Sequence, residues 1–180
     1  KINDAVPEDY LIDRFNECLA DLAPVLMLEG VKETELPTDI PIRLPDDIYN
    51  DTIILCRLEN AGITLPRLAL EDFEHTGYKI YNGIIDLQGA VELPDILRIW
   101  YQRLPAAVSI DNLDVEPEIP GPYQHALKYY AAAKWWQTEL ENNYENSYWR
   151  DYLDIKQQIA YYTSTKNRRY YNLTFRLPER

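Results

Sequence analysis

Apolar positions along this chain follow two different rhythms. Near the N-terminus Leu11, Phe15, Cys18 and Leu22 recur at i, i+4, i+7 and i+11, the single stripe of an amphipathic helix. Pro7 followed by Glu8 and Asp9 suits its start, because proline lacks only an N–H that would go unbonded there and the acids face the positive helix end. Pro24 is expected to stop it. Residues 29–47 are rich in acids and prolines and read as an extended surface connection. Residues 53–58 are apolar and partly β-branched, which tips them toward strand. Two short strand-like runs then flank Asn82-Gly83, a dipeptide that accepts the positive φ angles of a type I′ turn, so residues 78–87 predict a β-hairpin. The nearly continuous apolar run at 96–102 predicts a third strand, covered on both faces; three strands make a stable small sheet where a lone hairpin is marginal.

The second half returns to helical spacing. After a proline-rich loop at 105–122, Ala126, Tyr129, Tyr130, Ala133, Trp136 and Leu140 form a broad apolar face. Asn142-Asn143 is the expected break, and Tyr148, Tyr152, Ile155, Ile159 and Tyr162 repeat beyond it through two heptads. The expected fold is α+β: mainly a helical bundle, made of the N-terminal helix and a C-terminal helical hairpin, with a small antiparallel β-sheet insertion at about 52–104. Residues 1–164 read as one domain and 165–180 as an extended arm.

Composition changes this picture in three ways. At 180 residues, folding buries roughly 70% of the surface of the unfolded chain, enough for a core without metals or disulfides. The longest run of hydrophobic residues is five, Tyr129 to Ala133, against the roughly 20 a membrane helix needs, and residues 1–10 show no apolar stretch of a secretory leader. Cys18 and Cys56 sit inside apolar patterns and read as reduced core thiols, which fits an intracellular folding compartment. The balance of 18 Lys plus Arg against 30 Asp plus Glu gives a net charge of -12, the wrong sign for a whole-surface grip on nucleic acid.

That charge is unevenly spread. Beyond Ser164 five cations stand against Glu179 alone, so the last stretch is +4 and the remainder -16. Of 22 aromatic residues, 14 lie from Tyr123 onward. Residues 173–175 could extend as a strand, and no helical stripe organises the tail. Lys166, Arg168, Arg169, Tyr170, Tyr171, Phe175 and Arg176 are therefore the candidate docking residues: the cations would pair with an acidic partner and the rings would fill apolar pockets on it.

Chemistry-bearing motifs are weak. A nucleophilic triad needs a histidine oriented by a carboxylate beside a Ser or Cys, and only His75 and His125 are available, the first in an acid-rich turn and the second in the first turn of a helix. Zinc-ligand spacing is missing. The loop Asp111-Asn112-Leu113-Asp114-Val115-Glu116 imitates a calcium loop, yet Glu116 and Pro122 stand where that loop wants glycine and glutamate. Asp46 and Asp47 are adjacent and would point to opposite faces of an extended strand. Neither phosphate-binding glycine motif occurs. The reading is a non-enzyme, with no cofactor and no metal.

Three stretches carry a likeness when taken in order. They are Ile42-Arg43-Leu44-Pro45-Asp46-Asp47; then Gly77-Tyr78-Lys79-Ile80-Tyr81-Asn82-Gly83-Ile84-Ile85-Asp86-Leu87 leading to Ile99-Trp100-Tyr101-Gln102-Arg103-Leu104-Pro105; and Glu116-Pro117-Glu118-Ile119-Pro120-Gly121-Pro122-Tyr123-Gln124-His125-Ala126-Leu127 continuing as Lys128-Tyr129-Tyr130-Ala131-Ala132-Ala133. Their order and spacing, over about residues 10 to 160, resemble the head-to-tail adaptor (connector) proteins of tailed bacteriophages. Gln124 before the histidine and Trp100 in the aromatic strand depart from the family pattern. The resemblance implies a structural virion protein, made in the cytoplasm of the host bacterium. It would form a ring, commonly a dodecamer, under the portal protein, receive tail or neck proteins, and let DNA pass through the channel without specific binding. Another neck or tail-completion protein of the same virion shares that logic. From a different class, an aromatic-rich module that binds glycans or peptides remains the alternative.

Overall fold

The computed structural model describes residues 6–37, 40–89, 94–112 and 115–174, with side chains described as far as Lys166. The chain divides into two compact units, one formed by Leu28–Leu104 and one by the segments on either side of it.

The inner unit is all β. Its strands are β1 (Glu29–Leu36), β2 (Ile42–Arg43), β3 (Ile48–Leu58), β4 (Ile63–Thr64), β5 (Gly77–Tyr81), β6 (Ile84–Gln88) and β7 (Asp95–Arg103). They build two antiparallel sheets, ordered β1-β7-β3-β4 and β2-β6-β5. The expectation of a mainly helical bundle with a small sheet insertion is thus corrected: seven strands in two sheets make a β unit with its own core. The largest miss is β1, read from the sequence as surface connection. It pairs with β7 over its whole length. Its acids Glu29, Glu33 and Glu35 share with Val31 the alternate row that faces solvent, while Leu36 is buried. Alternating charge is what keeps an edge strand from pairing with other chains, so the acid content that hid β1 belongs to its role.

β7 also differs from its expected form. Leu97, Ile99 and Tyr101 are buried, whereas Ile96, Arg98 and Trp100 are only half-covered, so it is a one-faced strand. The inward residues Leu97 and Ile99 (both 0% exposed) pack with Cys56, Leu58, Tyr78 and Ile85 in the core shared by the two sheets. Complete burial of such aliphatic side chains contributes about 1.5–3 kcal/mol each. Arg98 on the outer face bridges Glu33 at 2.6 Å and Glu59 at 3.4 Å. The hairpin at β5–β6 forms as expected, with Asn82 and Gly83 at φ 50° and 72°. Next to β3's start, Asn50 and Asp51 adopt φ 47° and 53°, where the register with β7 shifts between Ile48 and Ile53, a bulge in the pairing.

The outer unit is helical: α1 (Glu8–Leu26), α2 (His125–Thr138) and α3 (Asn142–Thr174), with single 3-10 turns at Ile110–Asn112 and Gly121–Tyr123. Each helix packs on the other two. Pro24 lies inside the last turn of α1 and does not stop it; the helix ends at Met27, whose left-handed φ of 50° lets its N–H reach Ala23 O at 3.3 Å. The C-terminal half of the predicted stripe is core, with Cys18 and Leu22 at 0% exposure, but Leu11 and Phe15 are only half-covered. On α3 the buried line is Tyr152, Ile155, Ile159 and Thr163. The arm expected to be extended from residue 165 is corrected as well. α3 continues helically to Thr174, because no proline or glycine interrupts the chain before Pro178 and each added residue brings one more backbone hydrogen bond.

If the two sheets share one core, Leu97→Ala should destabilise the protein by about 2–5 kcal/mol. A urea titration would read this as a lower midpoint at unchanged slope, and a loss below about 1 kcal/mol would contradict the shared core.

Candidate docking site

The sequence-derived docking residues all fall at the end of the chain. Lys166 is exposed on α3. Arg168, Arg169, Tyr170 and Tyr171 belong to the helical backbone of α3, with side chains outside the described set, and Phe175 and Arg176 lie outside the described residues.

What anchors α3 is an aromatic lattice. Tyr130, Trp149 and Tyr152 form a triangle with ring centroids 5.1–5.6 Å apart, and the Lys134 ammonium lies over Tyr130 and Trp149 at 5.6 and 5.7 Å. Such ring pairs add about 0.5–1.5 kcal/mol beyond their buried area. Beneath them the Tyr152 hydroxyl donates to the Asp21 carboxylate, which also accepts from Lys156 Nζ at 2.8 Å. Burial, and after it the hydrogen bond to Asp21, raises the Tyr152 pKa; burial, then Glu17 and Asp21, pushes Tyr130 up to about 12. Further along, Thr163 Oγ1 donates to Val25 O at 2.7 Å, tying α3 to the end of α1. The lattice is a structural brace between α3 and the other two helices.

A second feature was not expected from the sequence. The uncovered N-terminal half of the α1 stripe faces α2 across a pocket of about 370 Å³, walled by Tyr10, Leu11, Phe15, Trp135 and Trp136, with Lys128 as its one charged lining residue among the described residues. Tyr10 meets Trp135 edge to face at 5.5 Å, and Trp136 stacks on Tyr144 at 4.9 Å, so both indoles are held in place. One signal was available in the sequence: neighbours on a helix point about 100° apart, so Trp135 and Trp136 cannot both enter one core.

The third feature is the loop between β4 and β5. Phe73 is 80% exposed there and Leu70 about half-exposed, among Glu71, Asp72 and Glu74. Asp72 Oδ1 accepts from the N–H groups of Glu74 and His75 at 3.1 and 3.2 Å, and the His75 ring lies 2.9 Å from the same carboxylate. Those hydrogen bonds, the His75 ring first, hold the Asp72 carboxyl below its usual pKa. His75 is thereby part of a loop brace. His125 packs edge-on against Tyr129 at 5.7 Å. Among the described residues no group of three or more His, Cys, Asp or Glu gathers into a metal-binding set.

No protein-family model matches the chain, and no curated protein matches it.

Burial drives the titration of both cysteines. Cys18 and Cys56 are each pushed from 9.0 up to about 12. Both should stay protonated and resist iodoacetamide at pH 8 in the folded protein and react together once urea unfolds it. The unfolded chain releases thiol protons that the folded chain keeps, so this contribution to stability is complete below about pH 9 and declines as pH rises toward 12. Rapid labelling of either thiol in native protein would contradict that burial.

Proposed function

We propose that this chain is a structural protein of the neck of a tailed bacteriophage, a head-to-tail adaptor that assembles as a ring, dodecameric in the family it resembles, beneath the portal of the DNA-filled head. One observation carries the reading further than the order of motifs alone. Asp47 of the Leu44-Pro45-Asp46-Asp47 segment accepts the Tyr101 hydroxyl at 2.9 Å, and its carbonyl accepts Leu104 N–H at 2.7 Å. Two motifs 54 residues apart in sequence therefore brace one another. Directly after the second of them Ala106 N–H donates to Glu118 at 2.8 Å, inside the third. Residues that lock together in this way are expected to travel together through a family.

Charge supports the same role. A subunit of net charge -12, repeated around a ring, gives a channel wall that repels phosphate and lets DNA slide. The basic C-terminal stretch, with Lys166, Arg168, Arg169, Tyr170, Tyr171, Phe175 and Arg176, is the part suited to an acidic pocket on the portal. Tail or further neck proteins would dock on the ring's other side. The protein would reside in the virion at the head-tail junction after synthesis in the bacterial cytoplasm. A different neck or tail-completion protein is the nearest alternative.

Purified protein mixed with portal assemblies should give ring-bearing complexes with portal symmetry by electron microscopy, and removal of residues 165–180 should abolish portal binding. Unchanged binding by the truncated protein would overturn the arm's role. Persistent failure of the full chain to bind portal would overturn the adaptor reading.

A further inference from the structure

We infer that copies of this chain join head to tail by a knob and a socket, with the acidic loop around Phe73 of one copy entering the aromatic pocket between α1 and α2 of the next. The inference rests on the ring reading above for its assembly state, and on independent geometry for the contact itself.

The knob is held rigid before any partner arrives. Lys79, only 6% exposed, donates from Nζ to Leu70 O at 3.0 Å, and the same ammonium lies 4.1 Å from the centre of the Phe73 ring. Asp72 N–H donates to Ala69 O at 3.1 Å, and its carboxylate caps the two N–H groups that follow the phenyl residue. The base of the loop is fastened by residues 66–68, which pair with β5 through Tyr78 N–H to Pro66 O at 3.0 Å and Leu68 N–H to Tyr78 O at 2.8 Å. An aromatic side chain left in water on so well fastened a loop loses little conformational freedom on docking, which is where association ordinarily loses much of its gross energy.

The socket fits that knob in size and in charge. A dry apolar cavity of about 150 Å³ accepts a benzene ring, so one of about 370 Å³ has room for the phenyl group and the adjacent Leu70 side chain. Its walls are aromatic and aliphatic, leaving few polar groups to be stranded by an apolar guest. The single charged lining residue among the described residues is Lys128, which is exposed, and the knob's phenyl group is flanked in sequence by Glu71, Asp72 and Glu74. The acids of the first turns of α1, Glu8, Asp9 and Asp13, are exposed and do not line the pocket. An acidic, phenyl-tipped occupant is thus favoured over a basic one, which directs the chain's own basic C-terminus elsewhere. Knob and socket are different patches, so the contact is heterologous, and contacts of that kind propagate until a rotation closes them into a ring.

Phe73→Asp removes the knob at an exposed position, and Ala132→Phe fills the socket; Lys128→Glu is the second socket variant should Ala132→Phe disturb the helices. Sedimentation velocity at rising concentration, and with portal present, is expected to show assemblies for the wild type and an association about 30-fold or more weaker for either variant alone. An equimolar mixture of the knob and socket variants should give dimers and nothing larger, since each pair keeps one intact knob and one intact socket. Rings that persist with Phe73→Asp, or a mixture that restores full rings, would overturn the knob and leave the adaptor reading standing. Wild-type copies that associate through Phe73 but never bind portal would retire the adaptor reading and leave the contact. Single copies under every condition would overturn both.

Discussion

The pairing of β1 with β7 sets the terms on which everything else in this chain can form. The β unit interrupts the helical unit between Met27 and Pro105, and α1 can pack on α2 only if the interruption begins and ends in the same place. Eight residue pairs, from Glu29 opposite Gln102 to Leu36 opposite Asp95, bring the two ends of the β unit side by side, and Arg103 N–H to Leu28 O at 2.9 Å closes them. A closure over so long a stretch costs little more than over a short one, because loop entropy grows only logarithmically. The same strand β7 then pairs with β3 on its other edge, and through Tyr101 and Leu104 it holds the turn that precedes β3.

The parts legible from sequence were those with a strong local signal. Asn82-Gly83 specifies its own turn, and the apolar stripes of α1, α2 and α3 specify helices. What escaped was set by pairing at a distance. β1 has the acids of a loop because it is an edge, and nothing within residues 29–36 announces that β7 will lie beside it. β7 looked buried on both faces because Ile96 and Trp100 are apolar, although Arg98 in the same row marks the open side. The charge reversal at the C-terminus was visible directly, while the pocket required knowing which half of the α1 stripe α2 and α3 leave uncovered.

Charge and aromatic rings divide the labour in a way that the net figure conceals. Acids are spread over both units, and some have internal partners: Asp21 lies beneath the aromatic lattice, Asp95 caps the Asn60 and Ala61 N–H groups at 2.8 and 3.0 Å, and Asp47 accepts from Tyr101. With a net charge of -12 the surface is broadly repulsive toward phosphate. Rings, in contrast, are concentrated on the helices, where they stack on one another and position α3.

The open pocket on the helical unit follows from the same economy of side chains. Ala131 and Ala132 are small enough to let α2 approach α1, but small residues cannot fill the space between the bulky Tyr10, Phe15, Trp135 and Trp136. A single copy with this arrangement leaves apolar surface in water that a larger residue on α2 would have covered, so the pocket costs stability unless something enters it. Phe73 presents the converse: an exposed phenyl group supported by a buried ammonium, when an ammonium is seldom buried without a partner and here has Leu70 O and the ring itself. Two such departures from the most stable monomer, complementary in volume and in charge, are the features that the proposed contact between copies would bring together.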